Sequence, residues 1–453
     1  MKTTRHISVA AAIVAAGLMA GCGGGSSSDT TTDGTTSTTT YDVTVERGPV
    51  LRAVVMDKNG NRATEQGAGQ YRFRDKPAYP IYAAGGYIDV NRDGNLSAGD
   101  IENNVVLVSA EGKAATVVSS VATQEEVRTW LKTEFGLTDE AIDEKTPDQD
   151  PTIAAVSDEV YKHCVENNIS DPARLSLQEM EQLRDRIQAR IQTYKASGAT
   201  HAELEEELIA ELDLPVLTEE NITTIQSVGG QGIQGVIDAA VQMPESNLTD
   251  AQKYTLAYMW NEEKLAKDIY LALNEKFPSN TFYNIATRSE TQHEAAVEAL
   301  VQKYDINITN LENYEVSYSE EELRALAPGE YAVPEVQELY DALYAEGSES
   351  LTSALQVGCK VEVTDVDDLD HDIEVADGAP DLVMVYSALR SGSYNHYWAF
   401  DRALKNLGVE DGCCSLGDAY CKTPEEFPAT NGGGNGAHDG TGTGGGFHGG
   451  MNR

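Results

Sequence analysis

The chain has 453 residues, more than one ordinary domain needs, and its 74 acidic and 33 basic residues give a formal net charge of −41. A chain this acidic repels nucleic acid, which excludes a nucleic-acid partner and favours cations as ligands. The composition shifts along the chain predict a multidomain protein: a small N-terminal β-sandwich, a helical spacer and an all-α C-terminal bundle.

The first residues have the composition of an export signal. An apolar run from Ile7 to Met19, too short to span a membrane comfortably, is followed by LMAGC. Residues 1–21 resemble a bacterial lipoprotein signal peptide, which implies lipidation of Cys22; the alternative is an ordinary secretory signal. Residues 22–41, rich in Gly, Ser and Thr, are then a flexible tether. The resemblance implies a lipid-anchored protein of the bacterial cell envelope. We predict the outer membrane, facing the periplasm or the cell surface, because Gly23 is not the aspartate that resembles an inner-membrane retention signal.

Residues 42–122 alternate β-rich runs with turn signals such as KNGN, which predicts a small antiparallel sandwich. Within it, DVNRDGNLSAGD has oxygen-bearing residues and a glycine at the spacing of a calcium-binding loop. Because the flanking residues are typical of strands, we predict a structural calcium site rather than a paired-helix sensor. The alternative is a polar turn that binds nothing. The predicted oxygen donors are Asp89, Asn91, Asp93, Asn95 (through its carbonyl), Ser97 and Asp100.

Residues 123–244 are predicted to be a helical, acidic spacer, and residues 411–453 a cysteine-containing, glycine-rich disordered tail. Cys22 aside, five of the six cysteines remain, an odd number, so at least one thiol is unpaired in an oxidising compartment. We predict one local disulfide among Cys413, Cys414 and Cys421. We interpret Cys359 as a small buried hydrophobic residue.

Four helical stripes between residues 245 and 410 carry polar residues near their middle, where a packed helix would have apolar ones. Buried carboxylates repel one another and lose hydration unless a cation compensates, so the pattern predicts a metal site among the helices. The alternative is a set of hydrogen-bonded acids and histidines. We interpret the acids from Asp367 to Asp370 as solvated charge. The polar positions are Glu263 in the first stripe, Glu290 and His293 in the second, Glu362 and Asp365 in the third, and Ser393 and His396 in the fourth.

The segment from about Thr249 to Leu407 resembles the ferritin-like superfamily. Within it, the segment is similar to a bacterial and archaeal ferritin-like domain family of uncharacterised function (DUF2202-like), through the runs EEKLAKDIY, SETQHEAAV, ALQVGCKVEVTDVDDL and GSYNHYWAF. The resemblance implies a four-helix bundle that binds two irons through two single glutamates and two Glu-x-x-His pairs. It assigns the single glutamates to Glu263 and Glu362, one pair to Glu290 and His293, and a hydroxyl beside the metal site to Tyr270.

The fourth helix departs from the family pattern. His396 is present, but Ser393 occupies the position of the expected glutamate. We infer that Asp365, one turn beyond Glu362, supplies the missing acid.

An oxygen-rich set of ligands with two histidines suits two iron ions, with manganese as the alternative. The resemblance implies an oxidoreductase, either a ferroxidase or a peroxidase, that acts with dioxygen or peroxide. A peroxidase would need an external electron donor, because the chain lacks the CxxC pairs of a fused rubredoxin. The alternatives are a lipoprotein that sequesters metal without turnover and an adhesion or scaffold module.

Overall fold

The computed structural model describes residues 40–227, 232–309, 311 and 318–429. The predicted signal peptide, Cys22, nearly all of the tether and the glycine-rich end of the chain lie outside the described residues. Within them, a strand-rich N-terminal region is followed by a helical C-terminal region. No helix in these ranges combines the length and the apolar composition needed to cross a membrane.

The N-terminal strands form a seven-stranded sheet in the order β3-β6-β9-β10-β1-β5-β4 and a three-stranded sheet in the order β2-β7-β8. Buried Val43 and Val45 alternate with more exposed neighbours along β1, the period expected of a strand with one face in the core. The strands are β1 (Tyr41–Glu46), β2 (Val50–Leu51), β3 (Val54–Asp57), β4 (Thr64–Gly67), β5 (Gln70–Phe73), β6 (Ile81–Ala84), β7 (Tyr87–Ile88), β8 (Ile101–Glu102), β9 (Leu107–Ser109) and β10 (Ala114–Thr116).

The prediction of a wholly antiparallel arrangement is wrong at one pair. β1 and β10 are parallel, with Thr44 opposite Ala114. A parallel pair needs a long crossover connection, and here the chain from β2 to β9 provides it.

Helices follow the strands without a break in packing. Val118, Trp130 and Ile187 from the helices share one core with Val55 and Leu107 from the strands. Packing therefore continues across the predicted boundary at residue 122, and the segment predicted as a spacer is folded onto the sheet as far as Ile209. The helices are α1 (Val117–Val121), α2 (Glu125–Phe135), α3 (Asp139–Glu144), α4 (Pro151–Asn167), α5 (Leu177–Ser197), α6 (His201–Glu211) and α7 (Glu219–Ser227).

In the C-terminal region, helices α9, α11, α15 and α14 contact one another in that cyclic order. A π-helical turn, Ile285–Glu290, leads directly into α11. Local signals set the ends: the Thr249 hydroxyl accepts the Gln252 N–H at the start of α9, and α13 begins at Pro334. The helices are α8 (Ile233–Gln242), α9 (Asp250–Lys276), α10 (Asn280–Asn284), α11 (Thr291–Lys303), α12 (Glu320–Arg324), α13 (Pro334–Gly347), α14 (Leu351–Val375) and α15 (Pro380–Asn406).

Residues 411–429, which the sequence analysis grouped with a disordered tail, are folded against α14 and α15. Two disulfides explain the difference. They hold this short segment in the fold, although its few apolar side chains alone would not. The Cys414–Cys421 bond is the predicted local disulfide. The Cys359–Cys413 bond was not predicted, and the interpretation of Cys359 as a simple hydrophobic residue is wrong. Cys164 is the unpaired, buried thiol among the described residues.

Candidate metal site

Five ligand-type side chains from different helical segments meet between α9, α11, α14 and α15. None is more than 4% exposed. They are Glu263 on α9, Glu290 at the end of the π-helical turn, His293 on α11, Glu362 on α14 and His396 on α15. We call these five residues the centre.

The two histidines of the centre each lie between two carboxylates. His293 Nδ1 is 3.4 Å from Glu263 Oε2 and 3.0 Å from Glu290 Oε2. His396 Nδ1 is 3.2 Å from Glu290 Oε1 and 3.3 Å from Glu362 Oε2. The centre thus has two similar halves, and Glu290 contributes one oxygen to each.

Three buried polar atoms of the centre make no hydrogen bond of good geometry, although both histidine nitrogens lie within 3.4 Å of carboxylates: Nδ1 of His293, Nδ1 of His396 and Oε1 of Glu263. Leaving a buried polar atom unpaired costs about 1–3 kcal/mol, so such atoms call for a ligand. The separations also fit one. Two ligands at right angles around a metal, each about 2.1 Å from it, lie about 3 Å apart.

Neighbouring side chains hold the ligands in place. The hydroxyl of Tyr270 donates a short hydrogen bond to Glu362 Oε1. His396 Nε2 is 2.7 Å from Ser289 Oγ, which leaves Nδ1 directed at the carboxylates. The Ser393 hydroxyl donates to Asp365 Oδ2 at 2.5 Å. Asp365 therefore lies beside the residue that occupies the position of the missing fourth glutamate.

Backbone features make room for the histidines. A β-carbon at Gly392 on α15 would lie only 2.4 Å from His293 Nε2, so glycine lets the imidazole lie flat against that helix. The π-helical turn that ends at Glu290 inserts an extra residue per turn and changes the direction of the side chains around it. Such turns are frequent at functional sites.

The pKa values show how the centre balances its charge with protons. Burial raises the pKa of Glu263 to about 7, although His293 opposes the shift. Burial also raises the pKa of Asp365, with Glu263 and Glu362 adding to it. Burial disfavours the charged imidazole of His396, but Glu290 and Glu362 outweigh it and raise its pKa to about 10. Protons on the histidines thus occupy the sites where a cation would bind.

A second group of acids and a histidine lies between the strands and α6, and most of its acids are paired with basic side chains. His201 Nδ1 is 2.8 Å from Asp148 Oδ1, and Arg92 is 3.0 Å from the same oxygen. Burial lowers the pKa of His201, but Asp148 and Asp158 reverse the shift and raise it to about 9. Three of its four acids pair with basic side chains, namely Asp148, Asp158 and Glu205 with Arg47, Arg92, Arg190 and His201, whereas burial raises the pKa of Glu46 to about 7.

The predicted calcium donors form one loop between β7 and β8. The buried Asp89 accepts the N–H of Gly94 at 2.7 Å, and the buried Asp100 accepts the N–H of Ser97 at 2.7 Å. Gly94 has φ +76°, the left-handed conformation that the sixth position of such a loop requires. The remaining predicted donors, Asn91, Asp93 and Asn95, are in the same loop and hydrogen-bond within it.

Sequence reasoning missed several residues around the centre. Ser289 and Gly392 have no signal of their own, because only the folded helices bring them to the histidines. The interpretation of Asp368 as solvated charge is wrong, since its Oδ2 is buried, as is Oε2 of the neighbouring Glu262. Asp365 and Asp368 are three residues apart and therefore share one face of α14. This spacing was the signal that could have found Asp368.

Comparisons with known sequences assign the helical region to a protein family. A family model described as "Uncharacterized protein domain (DUF2202)" matches residues 252–419. An uncharacterized protein of the archaeon Methanocaldococcus jannaschii is 36% identical over 166 residues, which cover 37% of this chain and 82% of the relative. The chain belongs to the DUF2202 family. The crystal structure of a hypothetical protein from Methanococcus jannaschii is 33% identical, with a TM-score of 0.34, over 41% of this chain and 94% of that one.

Proposed function

We propose that α9, α11, α14 and α15 form a ferritin-like bundle whose centre binds two iron or manganese ions and acts as a ferroxidase or peroxidase. The observation that carries the proposal is the pairing of two imidazole nitrogens, both without a hydrogen bond of good geometry, with three buried carboxylates. A set of oxygens and imidazole nitrogens, without thiolates, suits iron and manganese.

The residues of the centre divide between two ions. Glu263 and His293 would hold one ion, Glu362 and His396 the other, and Glu290 both. Bound redox-active ions would supply electrons. Two electrons from two Fe(II), together with two protons, are enough to convert one hydrogen peroxide into two waters.

The protein's own groups orient the ligands and hold protons. Tyr270 keeps one oxygen of Glu362 hydrogen-bonded, and its raised pKa, caused by burial and by Glu362, keeps its hydroxyl protonated as a donor. The Ser393 hydroxyl likewise donates a hydrogen bond to one carboxylate oxygen of Asp365. A cavity of about 40 Å³ lies beside the centre, lined in part by Asp365 and Ala266. It has room for a few water-sized molecules, which fits dioxygen or peroxide.

The test is metal content and turnover of the full chain. The parent protein should contain two iron or manganese ions in the helical region, and reduced protein should consume dioxygen or peroxide when Fe(II) is added. Glu362→Gln should lose an ion and most of the turnover, whereas Glu374→Gln, an exposed position on the same helix, should change neither. One tightly held, redox-silent ion in the parent would favour metal sequestration instead. Full function after loss of the metal would favour a scaffold role.

We also propose that the protein is exported and anchored by lipid at Cys22 in the cell envelope. Two disulfides support export, because such bonds persist in oxidising compartments. Radiolabelled palmitate should enter the parent protein and not Cys22→Ser. Equal labelling of both would contradict the proposal.

The calcium site between β7 and β8 stays a prediction. Calorimetry of the full chain should show heat of calcium binding that Asp93→Asn reduces and Asp75→Asn, an exposed control in the same region, leaves unchanged. The full chain is needed because the strands share their core with α1 to α6.

A further inference from the structure

The two disulfides that hold the segment after α15 involve adjacent cysteines. We call Cys359–Cys413 the inner disulfide and Cys414–Cys421 the outer disulfide. Both residues of the inner disulfide are fully buried. In the outer disulfide, Cys414 is partly exposed and Cys421 is exposed. The four sulfurs therefore lead from the surface of the protein to its interior.

The inner disulfide lies beside the centre. Cys359 precedes Glu362 by three residues on α14, and side chains at this spacing are neighbours on a helix, with β-carbons about 5–6 Å apart. Sγ of Cys413 is 3.8 Å from the carbonyl oxygen of Tyr397, the residue that follows His396 on α15. The inner disulfide is thus next to the helical turns that carry Glu362 and His396.

Hydrogen bonds to α15 hold the cysteines of the segment in place without help from the disulfides. Asp401 Oδ1 accepts the N–H of Cys413 at 3.1 Å. The Tyr397 hydroxyl donates to the carbonyl of the residue before Cys421 at 2.8 Å and accepts the N–H of the residue after it at 3.0 Å. Cys421 therefore stays close to Cys413 when the outer disulfide is open.

Cys421 is also within reach of the inner disulfide. Its Cα atom is 4.1 Å from that of Cys414, and neighbouring Cα atoms in the chain are about 3.8 Å apart. The Cα atoms of Cys413 and Cys421 are therefore at most about 8 Å apart. Because bridged cysteines usually have Cα atoms about 4.4–6.8 Å apart, a small shift is enough for Cys421 to bond to Cys413.

We propose that the two disulfides form a relay that carries two electrons from an external protein dithiol to the inner disulfide. The dithiol meets the exposed outer disulfide first. Its two sulfurs become joined to each other, and Cys414 and Cys421 are released as thiols. The net change is oxidation of the external dithiol by two electrons and reduction of the outer disulfide by two electrons.

Two exchange steps then move the reduction inward. The thiolate of Cys421 attacks Sγ of Cys413, the bond from Cys413 to Cys359 breaks, and Cys359 takes up the proton that Cys421 lost. The thiolate of Cys414 next attacks Cys421, which restores the outer disulfide and releases Cys413, and Cys413 takes up the proton that Cys414 lost. Each step forms one sulfur–sulfur bond and breaks one, so the inner disulfide ends as two thiols.

The reduced inner pair is placed to supply electrons to the centre. When Cys359 and Cys413 form their disulfide again, two electrons and two protons are released, enough to reduce two Fe(III) to Fe(II). The chain has no CxxC pair of its own, so the relay provides the route from an external donor that a peroxidase requires. This last step rests on the proposed function, whereas the exchange between the disulfides does not.

The first test follows thiols in the metal-free, full-length protein without dioxygen. One equivalent of dithiothreitol is added, thiols are alkylated at intervals, and mass spectrometry identifies the labelled cysteines. The parent is compared with Cys414→Ser/Cys421→Ser, which lacks the outer disulfide. Cys164→Ser is the matched control, because it removes an unpaired cysteine from the N-terminal core and leaves both disulfides.

Cys359 should be labelled at least about tenfold more slowly in the double variant than in the parent and the control, because an external thiol reaches the buried inner disulfide poorly. Equal or faster labelling in the double variant would overturn the proposal. Cys414→Ser tests the first exchange step separately, because it leaves Cys421 as a thiol. Part of this variant should contain a Cys413–Cys421 bond and a free Cys359. Detection of the inner disulfide alone would also overturn the relay.

The second test separates the relay from the proposed function. Protein loaded with Fe(III) receives one equivalent of dithiothreitol without dioxygen, and a colour-forming chelator measures the Fe(II) produced. The parent should form about two Fe(II) per chain, at least about tenfold faster than Cys414→Ser/Cys421→Ser. Equal rates would refute electron delivery through the relay. A protein that binds no iron would refute the proposed function, and the labelling of the metal-free protein would still decide whether the disulfides exchange.

Discussion

Gly392→Ala should weaken metal binding at the centre by moving His293. An added β-carbon would lie 2.4 Å from Nε2 and 2.5 Å from Cε1 of the imidazole, whereas ordinary contact begins at 3.4 Å. The ring must therefore move by about 1.0 Å, the difference between 3.4 and 2.4 Å. Displacing a ligand through its surroundings typically costs about 10- to 100-fold in metal affinity, or about 1.4–2.7 kcal/mol. We expect a loss in this range for the ion held by His293.

Gly235→Ala is the matched control for this prediction. Gly235 also lies within a helix, α8, and a β-carbon there would meet nothing within 4 Å. Alanine should stabilise that helix by about 0.5–1 kcal/mol without touching the centre. Calorimetric titration with Mn²⁺ at constant pH measures both variants against the parent. If Gly392→Ala bound Mn²⁺ as tightly as Gly235→Ala, the placement of His293 against α15 would be wrong.

Three further outcomes follow from the structure. Cys413→Ser should lower the free energy of unfolding by about 4 kcal/mol and Cys414→Ser by about 2.5 kcal/mol. The reason is loop length, because the first disulfide joins residues 54 apart and the second joins residues 7 apart. Chemical denaturation measures both losses, and the reverse order would contradict this assignment. The pKa of His201 is about 9 in the folded protein and 6.5 in the unfolded chain. Its protonation should therefore add up to about 3 kcal/mol to the free energy of unfolding below pH 6.5, and this contribution should be lost as the pH rises to 9. The stabilities of the parent and of His201→Gln should converge at alkaline pH. Mn²⁺ binding at pH 7 should release at least two protons, from His293 and His396, with about half a proton more from Glu263, whose pKa is about 7. Calorimetry in buffers of different ionisation enthalpy measures this release, and no release would mean that the imidazoles are not ligands.

Much of the helical region could be predicted from the sequence, because its period and its capping residues are local signals. Thr249 and Pro334 mark helix starts at the positions the structure shows. Glu290 and His293 share one helical face by spacing alone, and the folded helices bring them to His396. The sheet was harder, since the parallel pairing of β1 with β10 depends on contacts between residues about seventy positions apart.

The surroundings of the centre could not be predicted, for a physical reason. Ser289 matters because its hydroxyl meets a ring on another helix, and Gly392 matters because of an atom it lacks. Asp368 looked like one more charge in an acidic run, and only the packing of α9 against α14 buries its oxygen. Burial of polar groups between helices is a tertiary property that no local pattern encodes.

The bond between Cys359 and Cys413 bears on which metal the proposed site would bind. If both sulfurs were reduced, a soft thiol would lie on α14 within a turn of Glu362 and would compete for zinc or copper. The disulfide removes both sulfurs from that competition. A chain that bound its metal after the disulfide had formed would therefore select it with oxygen and nitrogen alone.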